Sequence, residues 1–208
     1  MEKVLHVILI AVGVAFGILS GGCADERNDG RSAVSLEVAP TDLKFSADGE
    51  TRPVSVVTDE EWSYGIIEPE GNRDICRCER TDSGLNVTMP SATGGEERSV
   101  RIVVKAGQEI RTVRVKQEGI SLETDAEALE FGPEGGEKEV GVKCNLSGWY
   151  TLVDEPEGME GRCTTGRRKN KLVVTVAPSS DDSDYEACIT VRAGNLSRKI
   201  FVRQRPLP

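Results

Sequence analysis

Residues 99–117 read Ser-Val-Arg-Ile-Val-Val-Lys-Ala-Gly-Gln-Glu-Ile-Arg-Thr-Val-Arg-Val-Lys-Gln. Val100, Ile102 and Val104 alternate with more polar neighbours, and Val113 and Val115 alternate with Arg114 and Lys116. A period of two places each apolar set on one face of a strand. Ala106-Gly107-Gln108 lies between the two runs, where a short turn containing Gly reverses the chain. The stretch predicts a β-hairpin with one buried face and one basic, solvent-facing side.

The hairpin is written twice. Residues 187–204 read Ala-Cys-Ile-Thr-Val-Arg-Ala-Gly-Asn-Leu-Ser-Arg-Lys-Ile-Phe-Val-Arg-Gln. Ile102, Val104, Gly107, Arg111, Val113, Val115 and Gln117 recur 87 positions later as Ile189, Val191, Gly194, Arg198, Ile200, Val202 and Gln204. This spacing is far longer than a solenoid repeat and matches a small all-β domain. The front halves repeat as well. Leu36, Leu43, Phe45, Val54 and Val56 recur as Leu122, Leu129, Phe131, Val140 and Val142 at a spacing of 86. After one inserted residue, Trp62, Leu85, Val87 and Met89 recur as Trp149, Leu172, Val174 and Val176.

Each unit thus offers seven or eight short strands with apolar residues at alternate positions. Two sheets packed face to face would bury them in one core. The expected fold class is all-β: two tandem β-sandwiches over residues 34–118 and 119–205, with a tail at 206–208. The seam, Gln117-Glu118-Gly119-Ile120, has no Pro-rich or Ser-rich linker. Bending there should be limited compared with a free linker.

The ordered set Leu43, Phe45, Gly49, Val54, Val56, Trp62, Leu85, Val87, Val115 and Gln117 resembles the BACON domain of Bacteroidetes. The second copy carries it as Leu129, Phe131, Gly135, Val140, Val142, Trp149, Leu172, Val174, Val202 and Gln204. The resemblance implies immunoglobulin-like sandwiches. It also implies a place beside glycan-degrading enzymes on the cell surface, where carbohydrate or mucin binding has been proposed. Other members look like spacers.

At the N-terminus, Lys3 precedes an apolar or small run over residues 4–19, interrupted by His6. The run is shorter than the roughly 20 residues that span a bilayer. A positive start, an apolar middle and small residues Ser20-Gly21-Gly22 form a secretory signal over residues 1–22. With Cys23 directly after them, the segment resembles a bacterial lipoprotein signal, although Ser20 stands where Leu is usual. The resemblance implies cleavage before Cys23 and lipidation of its sulfur. The competing reading is an ordinary signal with an unmodified Cys. Two or three acyl chains, at about 0.8 kcal/mol per buried CH₂, would hold the chain on a membrane. Residues 23–33 are polar and should form a flexible tether. Asp25-Glu26 resembles the surface-export signal of Bacteroidetes lipoproteins; a plain solvated linker is the alternative. The expected location is the outer membrane, lipid-anchored at the cell surface.

The formal charge of −9 argues against nucleic acid, which requires clustered Lys and Arg. The single His of the sequence is His6. The predicted mature chain therefore lacks Ser-His-Asp and Cys-His machinery and the commonest transition-metal ligand. Paired carboxylates could still serve a glycosidase, but nearly all of them sit in predicted turns. No enzyme activity and no cofactor are expected.

Trp62 with Tyr64, and Trp149 with Tyr150, are the candidate ligand-binding aromatics, because their rings can stack on sugars. Core packing competes strongly for the two Trp, which recur at one repeat position after a turn. Cys76, Cys78, Cys144, Cys163 and Cys188 remain once Cys23 is set aside. The exported compartment permits disulfides, but five is odd, so one thiol is free or pairs between molecules. The pairing stays open, with buried free thiols as the alternative. Cys144 shares parity with Val140 and Val142 and should face inward; Cys188 should face outward. One close pair, Cys76-x-Cys78, without His is a poor zinc site. The acidic loop at residues 181–184 could hold Ca²⁺, but reads more readily as a solvated turn. The sequons at Asn86, Asn145 and Asn195 carry little meaning in a bacterial protein. Arg111, Arg114 and Lys116, with Arg198, Lys199 and Arg203, form an expected basic face whose charge guards the sheet against aggregation. The expected partners are the membrane, through the lipid, and either a glycan or an outer-membrane protein for which the chain is a spacer or interaction subunit.

Overall fold

The computed structural model describes residues 35–69, 75–180 and 183–206. The predicted signal, Cys23 and its tether lie outside the described residues, as do Asp181 and Asp182 of the acidic loop.

Among the described residues sixteen strands follow one another. The first eight are β1 (Leu36–Ala39), β2 (Asp42–Phe45), β3 (Glu50–Thr58), β4 (Trp62–Ile67), β5 (Arg77–Thr81), β6 (Gly84–Met89), β7 (Arg98–Ala106) and β8 (Glu109–Gln117). The second eight are β9 (Leu122–Thr124), β10 (Ala128–Phe131), β11 (Gly136–Cys144), β12 (Tyr150–Asp154), β13 (Cys163–Arg168), β14 (Lys171–Val176), β15 (Tyr185–Ala193) and β16 (Leu196–Gln204). Two four-stranded sheets, β1-β3-β6-β5 and β2-β8-β7-β4, form the first half. The second half repeats the order with every strand advanced by eight: β9-β11-β14-β13 and β10-β16-β15-β12. The short strand β2 runs parallel to β8, and β10 parallel to β16; the other pairings are antiparallel. These are two immunoglobulin-like β-sandwiches.

The period-two pattern decides which residues enter the cores. In β7, Val100, Ile102, Val104 and Ala106 are buried while Ser99, Arg101 and Lys105 are exposed. β15 buries Tyr185, Ala187, Ile189, Val191 and Ala193 in the same way. Each buried Val or Ile among them contributes about 1.5–3 kcal/mol. The β7–β8 turn is the two residues Gly107-Gln108, and Gly107 has φ +54°, a left-handed conformation that Gly adopts at no steric cost. Gly194 repeats it at the same φ.

The two cores are not independent. Ala47 and Ala92, from turns of the first sandwich, belong to the apolar cluster of the second, with Ile120, Leu122 and Leu196. At the seam, Ile120 N donates to Gly94 O at 2.8 Å, and Asn195 N donates to Thr93 O at 2.8 Å. A Cβ on Gly119 would lie 2.2 Å from Gly95 O, so only Gly permits that approach. Asn145 ties both ends of the seam: Nδ2 donates to Gly119 O at 2.9 Å and Oδ1 accepts from Ser121 N at 2.7 Å. Its side chain is thus committed to the backbone.

Candidate binding faces

Trp62 and Tyr64 share inward parity on edge strand β4. They do not project as a stacking platform. Tyr64 Oη donates to Cys78 O of β5 at 2.8 Å, so the ring spans the gap between the two sheets. The ring centroids of Trp62 and Tyr64 are 6.4 Å apart. Arg80 lies over the Trp62 ring, its Cζ 4.0 Å from the centroid, and donates to Trp62 O at 3.1 Å. The second sandwich repeats this latch with different chemistry. Arg167 covers Trp149 at 4.6 Å, and Thr151 and Thr165 hydroxyls hydrogen-bond at 2.8 Å where Tyr64 and Cys78 stand in the first. Trp149 is only 8% exposed. An arginine over an indole gains about 0.5–2 kcal/mol, so both Trp close sandwich edges.

Tyr150 behaves differently from its neighbour. It has the opposite parity to Trp149 and is 54% exposed on the outer face of the β10-β16-β15-β12 sheet. Leu152 and Phe201 stand on the same face at 50% and 52% exposure. Asp154, Cys188, Phe201 and Ala128 align across it in one cross-strand row, and Leu152, Thr190 and Lys199 in the next. Phe201 was missed although alternation signals it: it lies between Ile200 and Val202, the repeat equivalents of buried Val113 and Val115, and so has outward parity.

The equivalent outer face of the first sandwich is basic. Asp42, Arg114, Arg101 and Ile67 align in one row, and Lys44, Lys116 and Ser99 in the next. Lys105, Ile110 and Ser63 form a further row. The expected grouping of Arg111 with Arg114 and Lys116 is corrected here. Arg111 has the parity of Val113, as Arg198 has that of Ile200, so neither stands on this face. Arg111 instead pairs with Glu109 at 2.8 Å. A groove of about 440 Å³ opens beside Ile67, Pro69, Arg101, Arg114 and Lys116.

Other polar groups are occupied by the scaffold. Glu155 accepts from Gly161 N and Cys163 N, both at 2.7 Å, and from Tyr185 Oη at 2.6 Å. Burial alone would raise its pKa; these hydrogen bonds outweigh it and hold the carboxyl below the usual range. At the equivalent position of the first sandwich, Glu68 accepts hydrogen bonds from Ile75 N and Cys76 N. The five thiols are unpaired. Cys76 and Cys163 occupy equivalent buried positions. The hydrogen-bonded Cys78 thiol, followed by burial, pushes Cys76 upward, while burial and then Glu155 push Cys163 up to about 11. Cys144 packs inward against the second core, and Cys188 sits half-buried on the outer face of β15. Among the described residues no group of three or more His, Cys, Asp or Glu side chains is placed to hold a metal ion.

Residues 77–118 match the model of the BACON family, described as "Putative binding domain, N-terminal". No curated protein matches the sequence. A crystal structure of a tandem from titin superposes with a TM-score of 0.55 and 12% identity, covering 84% of this chain and 66% of that one. That likeness concerns the fold. An NMR structure of a protein from Bacteroides thetaiotaomicron is 16% identical over 41% of this chain and 87% of its own, with a TM-score of 0.36. A xyloglucanase of Bacteroides ovatus in complex with a heptasaccharide is 25% identical over 47% of this chain and 22% of its own, also with a TM-score of 0.36.

Proposed function

We propose that this chain, with a segment matching a family of binding domains, is a non-enzymatic binding lipoprotein that holds a carbohydrate or mucin glycan at the cell surface. The observation that carries the reading is the exposed set Tyr150, Leu152 and Phe201 on one outer sheet face. Most aromatic rings of the chain close edges or fill cores, whereas these two have open faces on a rigid sheet. Amphipathic rings against solvent are the groups that recognise sugar CH faces. Cys23 supplies the membrane attachment in this reading, through its lipid.

Isothermal titration and a glycan array with the full chain in detergent test it. Tyr150→Ala with Phe201→Ala should abolish binding and leave unfolding within about 0.5 kcal/mol. Silence across host and plant glycans ends the reading. Incorporation of labelled palmitate, lost in Cys23→Ala, checks the anchor.

A second reading is favoured by the seam. Ala47 and Ala92 are built into the second core, and Asp48 bonds Ser147. Two sandwiches joined by a packed seam suit a spacer or interaction subunit of an outer-membrane complex. Cross-linking in cells should then recover fixed protein partners, and Tyr150→Ala should change nothing.

A further inference from the structure

The two sandwiches share their cores but diverge on one outer face. Where the second sandwich has Cys188 and Phe201, the first has Arg101 and Arg114 at the equivalent places. The outer face of β2-β8-β7-β4 carries Lys44, Arg101, Lys105, Arg114 and Lys116 against one strand carboxylate, Asp42, with Glu97 reaching Lys116 from the loop before β7 and Glu68 lining the groove at its edge. The whole chain is net acidic at −9. The other face of the same sandwich shows no such bias: β1-β3-β6-β5 exposes Glu37, Glu79 and Arg77 among Thr51, Pro53, Ser55 and Thr88.

Cation placement on this face works against the fold. Arg101 stands directly opposite Arg114 across β7 and β8, and Lys44 stands opposite Lys116 across β2 and β8. Like charges at directly opposed sheet positions are destabilising. Arg114 is offset by Asp42 at 2.8 Å and Lys116 by Glu97 at 2.9 Å. Arg101 and Lys105 have no carboxylate partner among the described residues. Lys105 stands opposite Ile110 and Ser63, so the repulsion is that of Arg101 against Arg114, which Ser or Thr at position 101 would relieve; guarding the sheet against aggregation asks for charge, not for five cations on one face.

We propose that the outer face of the β2-β8-β7-β4 sheet binds an extended acidic polysaccharide, its carboxylate or sulfate groups meeting Lys44, Arg101, Lys105, Arg114 and Lys116. The cations lie in three cross-strand rows, spaced along each strand by about 6.8 Å or multiples of it. They do not converge on a point, so they fit a polymer with recurring charge and not a single small anion. Ile67, Val103 and Ile110 lie between them as aliphatic surface for ring CH groups. The face lacks Trp, Tyr and Phe, the anchors of a protein interface. The acidic remainder of the chain disfavours dense polyanions such as duplex DNA. This face is separate from the aromatic one on the second sandwich, so neither proposal depends on the other.

The full chain in detergent is titrated with polygalacturonate and chondroitin sulfate at low salt, with neutral dextran, double-stranded DNA and phosphatidylglycerol vesicles as comparisons. Both acidic polysaccharides or one of them should bind, dextran should not, and affinity should fall as salt rises. The double variant R101S with K105S should bind at least tenfold more weakly, with a melting temperature unchanged or raised, since it relieves repulsion. Tyr150→Ala should bind as the parent does. The proposal is overturned if neither acidic polysaccharide binds, if the double variant binds equally, or if DNA or the vesicles bind as tightly.

Discussion

Asp48 in the first sandwich accepts two hydrogen bonds from Ser147 in the second through one oxygen, from the backbone N at 2.8 Å and from Oγ at 3.0 Å. The two residues are 99 positions apart in sequence. This carboxylate, with Ala47 beside it in the second core, makes the seam a packed contact.

Asp48→Ala should therefore loosen the seam and lower stability by about 1 kcal/mol, the typical net contribution of a hydrogen bond, because these bonds lie at an exposed site. Gly119→Ala should act more severely, because its new Cβ meets backbone and not a yielding side chain. Small-angle scattering should show a wider spread of interdomain distances in both. Unchanged profiles would mean that the apolar contacts alone hold the angle.

The buried glutamines should prove costly to replace. Gln117 Nε2 donates to Ser46 O at 3.1 Å and Pro90 O at 2.8 Å, and its Oε1 accepts from Arg98. Gln204 Nε2 donates to Gly132 O at 3.2 Å and Ala177 O at 2.9 Å, while Arg162 Nε donates to its Oε1 at 3.0 Å. Gln117→Met or Gln204→Met strands these carbonyls and an arginine, at about 1–3 kcal/mol per group left unpaired. Urea titration should show an earlier midpoint with an unchanged slope.

Trp149→Ala and Tyr150→Ala should differ sharply although the residues are adjacent. Removing the buried Trp149 costs about 3–5 kcal/mol. Removing the exposed Tyr150 should cost less than about 0.5 kcal/mol. Equal losses, read by urea unfolding, would contradict the opposite parity of the two rings.

Acid should loosen the second sandwich through Glu155. Its carboxyl is held below the ordinary value by Tyr185 and the backbone of the 161–163 loop, which outweigh burial. A depressed carboxyl pKa contributes stability above the unfolded value of about 4.3, and the contribution is lost as pH falls through the folded value. Stability measured from pH 7 to pH 2 should drop on the acid side. Glu155→Gln should start less stable at pH 7 and show a shallower acid decline.

The thiols supply a further check. Cys76 and Cys163 are buried, at 4% and 3% exposure, and shifted toward the protonated form. A disulfide reagent at pH 8 should modify Cys188 on the outer face first and reach Cys76 and Cys163 only in urea. Rapid labelling of Cys163 in the native chain would show that the 156–162 loop opens.

Much of the fold was legible in the residues because a strand has period two. Val100, Ile102 and Val104, or Ile189 and Val191, declare their buried face without any knowledge of the partner strand. The repeat also placed Gln117 and Gln204 at equivalent strand ends, but it gave no hint of their role. The arginines that satisfy them come from non-equivalent positions, Arg98 at the start of β7 and Arg162 before β13. Parity likewise placed Cys144 inward and Cys188 outward, yet grouping by nearness in sequence put Arg111 on the wrong face.

By itself, then, the amino-acid order determined the strands, their inward residues and the doubling of the unit, because alternation and turn chemistry act over a few neighbours. Only the tertiary structure decided that Arg101 faces Arg114, that Tyr150 and Phe201 share a wet face, and that Ala47 and Ala92 enter the second core. Those relations depend on which strands pair and in what register, and so on free energy gathered from residues tens of positions apart.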